Sequence, residues 1–318
     1  MIAFIFPGQG SQTVGMGREL VASYPEAREI FDQADAAFAQ AGDARTLSQI
    51  IFDGPEDQLT LTEHQQPAIL TVSIAATRVL AAHGIMPAFV AGHSLGEYSA
   101  NVAAGTFAFA DAVSIVRRRG RYMQEAVPVG VGAMAAILGG DRAMVDAACA
   151  EAAQSEVVSA ANINGQGQVV IAGHAGAVQR ASELAKTRGA RRVTMLNVSA
   201  PFHCLLMKPA EERLEPELRA LSTRDPRVPV VANVDAAPKR TAKDAIDALV
   251  QQVSSPVRWY EVVERLASEG VTTYVEAGPG TVLSSLVKRV HKDAHVVHFG
   301  SPEDLGAVVA ACSTSTAR

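Results

Sequence analysis

Residues 88–104, AFVAGHSLGEYSANVAA, join a short apolar run to a helical pattern through a turn that contains two glycines. The run AFVA is typical of a buried strand, and LGEYSANVAA begins a helix. In the turn, Gly92, Ser94 and Gly96 match G-x-S-x-G, the nucleophile elbow, in which a serine projects from a sharp connection between strand and helix. The N-terminus of the following helix favours a developing negative charge beside that serine. This stretch predicts a strand–turn–helix unit with Ser94 as a nucleophile.

The same alternation of short strands and longer helical patterns extends over both ends of the chain. IAFIF, VPVVANV and TTYVEAG predict further buried strands. Two long helical patterns follow the first of them: residues 18–38, which Pro25 should divide, and residues 67–84, which Gly84 should end. Alternating strands and helices predict an α/β fold with a mainly parallel sheet.

The pattern changes in residues 129–198. Here four strand patterns and two helical patterns follow one another in the order βαββαβ, the split arrangement of a ferredoxin-like subdomain. We therefore predict an α/β catalytic domain made of residues 1–128 and 199–318. The ferredoxin-like subdomain of residues 129–198 is inserted in it.

The composition excludes several kinds of partner and compartment. The chain has 318 residues, of which 48% are apolar and 19% are charged, and its formal net charge is −5. This charge gives no electrostatic reason to expect nucleic acid or an anionic membrane as a partner. No apolar stretch approaches the roughly 18 residues that span a bilayer, and Pro7 breaks the first apolar run too early for a secretory signal. The three cysteines form no disulfide framework or zinc motif, so we expect a cytoplasmic protein without a bound metal.

A serine nucleophile needs a general base within hydrogen-bond reach. Among eight histidines, His203 is a candidate because it lies where the chain leaves the insertion, in a loop whose backbone is restricted by Pro201. His93 is next to the serine, but a residue at that position of the turn usually points elsewhere. Cys204, beside His203, raises the alternative of a cysteine nucleophile. The residues alone do not decide between these candidates for the general base and the nucleophile.

A second candidate site residue is an arginine on the helix DAVSIVRRRGRYMQEAV. Arg119 falls on the apolar stripe of this helix, whereas Arg117, Arg118 and Arg121 fall outside it and are expected on a solvated face. A buried guanidinium is costly unless it is paired, and no acidic residue lies one helical turn away. Its partner is either the carboxylate of a substrate or a distant acid in a structural ion pair.

The glycine-rich loop FPGQGSQTVGMG, residues 6–17, initially suggests a phosphate site. Gly10 and Gly15 have the spacing of a P-loop, but Met16 and Gly17 stand where lysine and serine or threonine are required, and the dinucleotide pattern also fails at Thr13. We therefore expect a tight strand-to-helix turn and no nucleotide triphosphate.

Six motifs occur in this order along the chain: GQGSQ, GHSLGE, RRGRYMQEAVP, NINGQGQVVIAG, PFHC and VEAGPG. Together they resemble the malonyl-CoA:acyl carrier protein transacylases and the related acyltransferases of polyketide synthases. The resemblance covers essentially the whole chain, including the insertion. It implies an α/β-hydrolase-like core, a ferredoxin-like subdomain and an active site between them.

The resemblance also implies roles for individual residues. Ser94 would carry the malonyl group, and His203 would be its base and then the acid for the departing thiol. Arg119 would hold the free carboxylate of the malonyl group. The backbone N–H groups of Gln9 and Leu95 would form the oxyanion hole.

Three further positions follow from the same resemblance. The backbone carbonyl of Gln252 would orient His203 in place of a triad acid, and Asn162 would lie near the cleft. Leu95 and Phe202 resemble the residues of malonyl-selective rather than methylmalonyl-selective sites. Many fatty-acid enzymes have a smaller residue where this chain has Phe202, so a discrete polyketide acyltransferase is an alternative.

The implied reaction is a ping-pong transfer of malonyl from malonyl-CoA to the phosphopantetheine thiol of an acyl carrier protein. It needs no metal or redox cofactor, and the family suggests a monomer. A serine esterase or thioesterase is a second alternative, but it usually has its histidine near the C-terminus and has no use for a buried Arg119. A non-catalytic docking subunit is a third, and it would need none of Ser94, His203 and Arg119.

Overall fold

The computed structural model describes residues 1–39 and 45–316. The strands are β1 (Ile2–Phe6), β2 (Phe89–Gly92), β3 (Gly132–Leu138), β4 (Val158–Gly165), β5 (Gln168–His174), β6 (Arg192–Met195), β7 (Val230–Val231), β8 (Pro238–Lys239), β9 (Thr273–Ala277) and β10 (His295–Phe299). The helices are α1 (Arg18–Ser23), α2 (Pro25–Ala39), α3 (Leu47–Asp53), α4 (Glu56–Leu59), α5 (Thr62–Ala82), α6 (Gly96–Ala104), α7 (Phe109–Glu125), α8 (Arg142–Ala153), α9 (Ala175–Thr187), α10 (Lys208–Arg219), α11 (Ala242–Gln252), α12 (Trp259–Ser268), α13 (Val282–Val290) and α14 (Leu305–Thr316), with 3₁₀ turns at Leu205–Met207 and Pro302–Asp304.

The larger sheet has the strand order β10-β9-β1-β2-β7-β8. All neighbouring strands are parallel except β7 and β8. β1 is buried on both faces: Phe4 and Phe6 belong to one apolar cluster, and Ala3 and Ile5 belong to another. A strand that is covered on both sides is expected to be continuously apolar, as IAFIF is. The predicted α/β fold with a mainly parallel sheet is confirmed.

The smaller sheet is antiparallel, with the strand order β4-β5-β3-β6. Helices α8 and α9 cover one face of it around a core that includes Ile137, Val145 and Ile171. The succession β3-α8-β4-β5-α9-β6 is the predicted βαββαβ arrangement, so the ferredoxin-like subdomain is confirmed as a fold. Its elements span residues 132–195, while the exact domain boundaries stay a prediction.

The two sheets are joined by backbone hydrogen bonds near the start of α12. Val257 donates to the carbonyl of Ala161 and accepts from the N–H of Ile163, at 2.8 Å in both cases. The next residue, Arg258, donates to the carbonyl of Asn233 at 3.0 Å. The edge strand β4 is thereby connected to the carboxyl end of the larger sheet, where a parallel α/β sheet usually binds its ligand.

Of two predictions about proline and helix boundaries, one is confirmed and one is wrong. Pro25 does separate two helices, as predicted, because it is the first residue of α2. Pro67 was expected to begin a helix, but α5 starts five residues earlier and contains it. The preceding turn is buried, including Gln65 and Gln66, and this packing outweighs the single backbone hydrogen bond that a proline removes.

The prediction that Arg117 lies on a solvated face is wrong. Its side chain is buried, with the guanidinium 4.0 Å above the ring of Phe38 and a hydrogen bond of 3.2 Å to the Phe38 carbonyl. The periodicity of α7 indicated only one buried stripe, whereas the helix packs against both α5 and α2. The aromatic face and the carbonyl compensate the burial of the cation.

Candidate active site

The elbow predicted from G-x-S-x-G lies between β2 and α6. Ser94 has φ 53°, in the left-handed region that a residue with a side chain rarely adopts. A Cβ atom at Gly92 would overlap with the backbone of Gly96, and one at Gly96 would overlap with the carbonyl of Phe6. Both glycines are therefore required, because β1, β2 and α6 meet within contact distance at this turn.

Ser94 and His203, 109 residues apart in sequence, are in contact. Ser94 Oγ lies 2.7 Å from His203 Nε2, and His203 Nδ1 lies 3.0 Å from the backbone carbonyl of Gln252. A carbonyl can only accept, so Nδ1 carries the proton and Nε2 is free to accept the serine proton. Gln252 is the last residue of α11, so its carbonyl is not taken up inside that helix.

The charge state of His203 suits this arrangement. Burial lowers the pKa of His203 to about 3, and the charge of Arg119 acts in the same direction. The imidazole is therefore neutral near pH 7 and can act as a base. His93 is turned away from the serine, since its Nε2 lies 2.9 Å from Asn164 Oδ1. Cys204 donates to the carbonyl of Pro201 at 3.1 Å, and burial raises the pKa of its thiol to about 11.

Arg119 lies directly behind the serine and is completely buried. Its Nη2 donates to Ser94 Oγ at 3.2 Å and to Gln252 Oε1 at 2.9 Å, and its Nη1 donates to Gln66 Oε1 at 2.8 Å. The face of Tyr98 lies 5.2 Å from the guanidinium carbon. No carboxylate in residues 1–39 and 45–316 forms an ion pair with Arg119, so a buried cation lies beside the nucleophile without a direct anionic partner.

The loop after β1 lies against the elbow and lines the same cleft as Ser94. A Cβ atom at Gly8 would lie 2.5 Å from the carbonyl of His93, so this loop is packed against the elbow. In the part of the chain that the structure describes, the backbone N–H groups of Gln9 and Leu95 have no acceptor. The side chain of Gln9 is fixed by Gln65, 2.6 Å from amide nitrogen to amide oxygen. Unused N–H donors beside a nucleophile are what an oxyanion hole requires.

A cleft of about 710 Å³ leads to Ser94. Asn162 on β4 and Phe202 both line it, as the sequence analysis predicted. Arg119 is not among the lining residues, but its Nη2 lies 3.2 Å from the hydroxyl of Ser94, which is. The other lining residues come mainly from the loop after β1, from α5 and its preceding turn, and from the loop after β6, with single residues from the elbow, α7, the loop after α7 and β3: Gln9, Gly10, Gln12, Thr60, Leu61, Thr62, Gln65, His93, Gln124, Val129, Met134, Leu196, Asn197, Val198, Ser199 and His203.

Three buried polar residues near the serine were missed by the sequence analysis. Gln66 holds Arg119, and it was overlooked because the helix was expected to begin at Pro67. Asn233 accepts a hydrogen bond from the Ser94 N–H at 2.8 Å, and Glu97 accepts one from Gln252 Nε2 at 2.8 Å. Burial raises the pKa of Glu97 to about 7. The only available signal for Asn233 was a polar residue directly after the strand pattern VPVVA.

Neither a metal-binding cluster nor a membrane-spanning helix occurs in the described part of the chain. Within the described ranges, no three His, Cys, Asp or Glu side chains are grouped closely enough to hold a metal ion. None of the helices in these ranges has the length and apolar character needed to cross a membrane.

The fold and the site define the class of α/β enzymes that have a serine paired with a histidine. The hydroxyl of Ser94 is in hydrogen-bond contact with a neutral imidazole, which is the arrangement that nucleophilic acyl transfer requires.

Comparison with known sequences identifies the family. The chain belongs to the acyl transferase family, whose domain model matches residues 3–311. It is 49% identical over 305 residues to the malonyl CoA-acyl carrier protein transacylase of Bacillus subtilis, covering 96% of this chain and 95% of that protein. It is 51% identical over 289 residues to the enzyme of the same name from Escherichia coli K12, covering 91% and 92%.

Two solved structures are similar over nearly their whole length. An acyl carrier protein S-malonyltransferase from Vibrio cholerae superposes with a TM-score of 0.93 at 45% identity, covering 96% of this chain and 99% of that one. A malonyl-transacylase in complex with a type II polyketide synthase acyl carrier protein has a TM-score of 0.93 at 42% identity, covering 98% and 99%.

Proposed function

We propose that this protein transfers the malonyl group of malonyl-CoA to the phosphopantetheine thiol of an acyl carrier protein. The choice of a malonyl group is inferred from Arg119. This wholly buried cation lies 3.2 Å from Ser94 Oγ and has no direct acidic partner among the described residues. A malonyl group ends in a carboxylate, which is the planar, bidentate partner that a guanidinium prefers. The curated relatives bear the corresponding name.

In the first half-reaction, Ser94 Oγ attacks the thioester carbonyl of malonyl-CoA. Its proton passes to His203 Nε2, and the Nδ1–H bond to the Gln252 carbonyl stabilises the imidazolium that forms. The N–H groups of Gln9 and Leu95 stabilise the oxyanion. When the C–S bond breaks, His203 returns the proton to the departing CoA thiolate, and malonyl remains on Ser94 as an oxygen ester.

In the second half-reaction, the carrier thiol enters the same cleft. His203 accepts the thiol proton while sulfur attacks the ester carbonyl, and then gives that proton to Ser94 Oγ as the C–O bond breaks. The enzyme returns to its initial state, so the transfer needs no metal or redox cofactor. Water has to be kept from the ester during the exchange, since otherwise the product would be free malonate.

Leu95 and Phe202 are proposed to restrict the space around the bound acyl group. Leu95 is fully buried beneath the elbow, and Phe202 lines the cleft directly before the catalytic histidine. Asn162, which also lines the cleft, is proposed to contact the substrate.

A second candidate is the same transfer in a polyketide pathway. It is favoured by the 42% identity to a malonyl-transacylase that was solved with a type II polyketide synthase carrier. We further propose a cytoplasmic monomer, consistent with three buried cysteines that are free thiols.

The test is to measure the mass of the intact protein after exposure to malonyl-, methylmalonyl- and acetyl-CoA. The wild-type protein should gain one malonyl group, and Ser94→Ala should gain none. Adding a carrier protein with its phosphopantetheine arm should then discharge the ester and produce malonyl-carrier. An adduct that persists in Ser94→Ala, or discharge to free malonate whether or not the carrier is present, would contradict the proposal.

A further inference from the structure

Asn233 is a buried asparagine to which the reaction above gives no role. It follows β7 by two residues, at the carboxyl end of the strand next to β2, and it has no exposed surface. Buried amides are retained only where their hydrogen-bonding groups are matched, because an unpaired one is costly. The partners of this side chain therefore indicate what it does.

The Asn233 side chain contacts the peptide groups on both sides of the elbow. Its Oδ1 accepts from the backbone N–H of Ser94 at 2.8 Å, and its Nδ2 donates to the carbonyl of Gly92 at 2.7 Å. A backbone N–H can only donate and a carbonyl can only accept, so these two partners fix the orientation of the amide. An aspartate or leucine of similar size could not make both bonds.

Glu97 connects Asn233 to the other residues of the site. Its Oε2 accepts from the backbone N–H of Asn233 at 2.9 Å and from Gln252 Nε2 at 2.8 Å. Gln252 Nε2 also donates to the carbonyl of Ser94 at 2.8 Å. With its nitrogen held by these acceptors, the Gln252 amide has to direct Oε1 at Arg119, 2.9 Å away.

The backbone of Ser94 needs this support. Its φ of 53° is unfavourable for a residue with a side chain, and such conformations persist only where the surroundings fix them. Both of its peptide groups are held by side chains that lie more than 130 residues away in sequence: the N–H by Asn233 and the carbonyl by Gln252. The position of Oγ relative to His203 and Arg119 depends on these bonds.

We propose that Asn233 and Glu97 are positioning residues of the acyl transfer. Asn233 holds the elbow in the strained conformation that presents Ser94 Oγ to His203, and Glu97 fixes both Asn233 and the Gln252 amide that orients Arg119. The part that concerns Arg119 rests on the proposed function. The part that concerns Ser94 applies to any reaction of this serine.

The test compares Asn233→Ala with Asn101→Ala. Asn101 is also a fully buried asparagine, on α6, but its amide donates only to the carbonyl of Glu97 in its own helix and does not contact Ser94. Two rates are measured for each folded variant: labelling of Ser94 by a small fluorophosphonate, which requires no malonyl group, and steady-state malonyl transfer. Thermal unfolding is recorded in parallel.

Asn233→Ala should lower both the labelling rate and kcat by about 100-fold, the effect of a small displacement of a catalytic group, while KM for malonyl-CoA changes little. Asn101→Ala should lose stability without this loss of rate. A folded Asn233→Ala that labels at the wild-type rate, or an equal loss of rate in Asn101→Ala, would overturn the inference.

Glu97 supplies a second variant pair in case Asn233→Ala does not fold. Glu97→Gln keeps an acceptor oxygen for the Asn233 N–H and for Gln252 Nε2, so it should recover most of the labelling rate that Glu97→Ala loses. Equal loss in the two Glu97 variants would overturn the role of Glu97. Wild-type protein that labels with the fluorophosphonate but transfers no malonyl would contradict the proposed function alone, since the labelling rates still test the positioning.

Discussion

Replacing Arg119 by alanine should abolish the preference for malonyl over acetyl groups. The guanidinium has five N–H donors, and three of them are used by Gln66, Gln252 and Ser94. Nε has no acceptor among the described residues. Two donors are therefore left, the Nε–H and one N–H of Nη1. Each bidentate edge of a guanidinium includes Nη2, so a substrate carboxylate bound by two hydrogen bonds uses one of these free donors and replaces the Nη2 bond to Ser94 Oγ, which at 3.2 Å is the longest of the three.

The size of the effect follows from these two bonds. A hydrogen bond to a charged group contributes about 1.5–3 kcal/mol, so two of them at the lower end contribute about 3 kcal/mol. Since about 1.4 kcal/mol corresponds to a factor of ten, the ratio of kcat/KM for malonyl-CoA to kcat/KM for acetyl-CoA should fall by about two orders of magnitude. The mutation also removes the donor to the side-chain oxygens of Gln66 and Gln252, but this cost applies to both substrates and cancels in the ratio.

The assay is the rate of Ser94 acylation at limiting concentrations of each acyl-CoA, followed by intact mass. Arg121→Ala is the matched control, because Arg121 is on the same helix and pairs with Glu63 at the surface, 2.9 Å away. It should leave the ratio unchanged. If Arg119→Ala slows acylation by malonyl and acetyl equally, the arginine does not bind the malonyl carboxylate and the reasoning is refuted.

Four further predictions concern the base, the arginine and the elbow. Burial and the charge of Arg119 hold the pKa of His203 at about 3, so the rate of acylation should show no decrease from protonation of this histidine down to about pH 5. Removing the cation in Arg119→Ala should move that decrease to a higher pH. In the unfolded chain, in contrast, the histidine binds a proton near pH 6.5. The free energy of unfolding measured in urea should therefore fall as the pH drops below about 6.5, and it should fall less steeply in His203→Gln. An equal dependence on pH in the two proteins would contradict the assigned burial. Gln66→Leu removes one acceptor from Arg119 and should lower kcat/KM for malonyl-CoA about tenfold, with a smaller decrease for acetyl-CoA. Equal decreases for the two substrates would argue against a role of Gln66 in holding Arg119. Gly96→Ala forces a methyl group against the Phe6 carbonyl and should lower the free energy of unfolding by about 3 kcal/mol, which an unchanged Tm would disprove.

The features that the sequence predicted correctly are local ones. The elbow needs only a strand, two glycines and a helix in succession, and all of them lie within residues 88–104. The βαββαβ order was likewise visible in consecutive patterns. The proximity of Ser94 to His203 was not derivable from the residues, because it depends on a return of the chain 109 positions later. The residues alone made His203 one candidate among several, and the resemblance to a family selected it.

The features that were missed depend on packing between distant elements. Asn233, Glu97 and Gln66 are polar residues whose function comes from buried partners on other helices and strands, and a pattern of apolar spacing cannot show such partners. Arg117 illustrates the same limit, since one buried stripe was visible in the sequence while the second contact, with Phe38, was not. Pro67 was given too much weight, because tertiary burial can outweigh a local helix-breaking preference.

The backbone hydrogen bonds of Val257 have a consequence for chimaeric enzymes. A natural way to alter acyl choice is to exchange the predicted subdomain, residues 129–198, for the corresponding segment of another acyltransferase, since the strands within it form a sheet of their own. The outer strand of that unit, however, is bonded to Val257, and the adjacent Arg258 is bonded to Asn233. A graft that shifts this strand by a single residue would displace Val257 and Arg258, and with them Asn233, which holds the elbow. Residues 254–258 should therefore be transplanted together with the subdomain, so that donor and acceptor strands keep their original register.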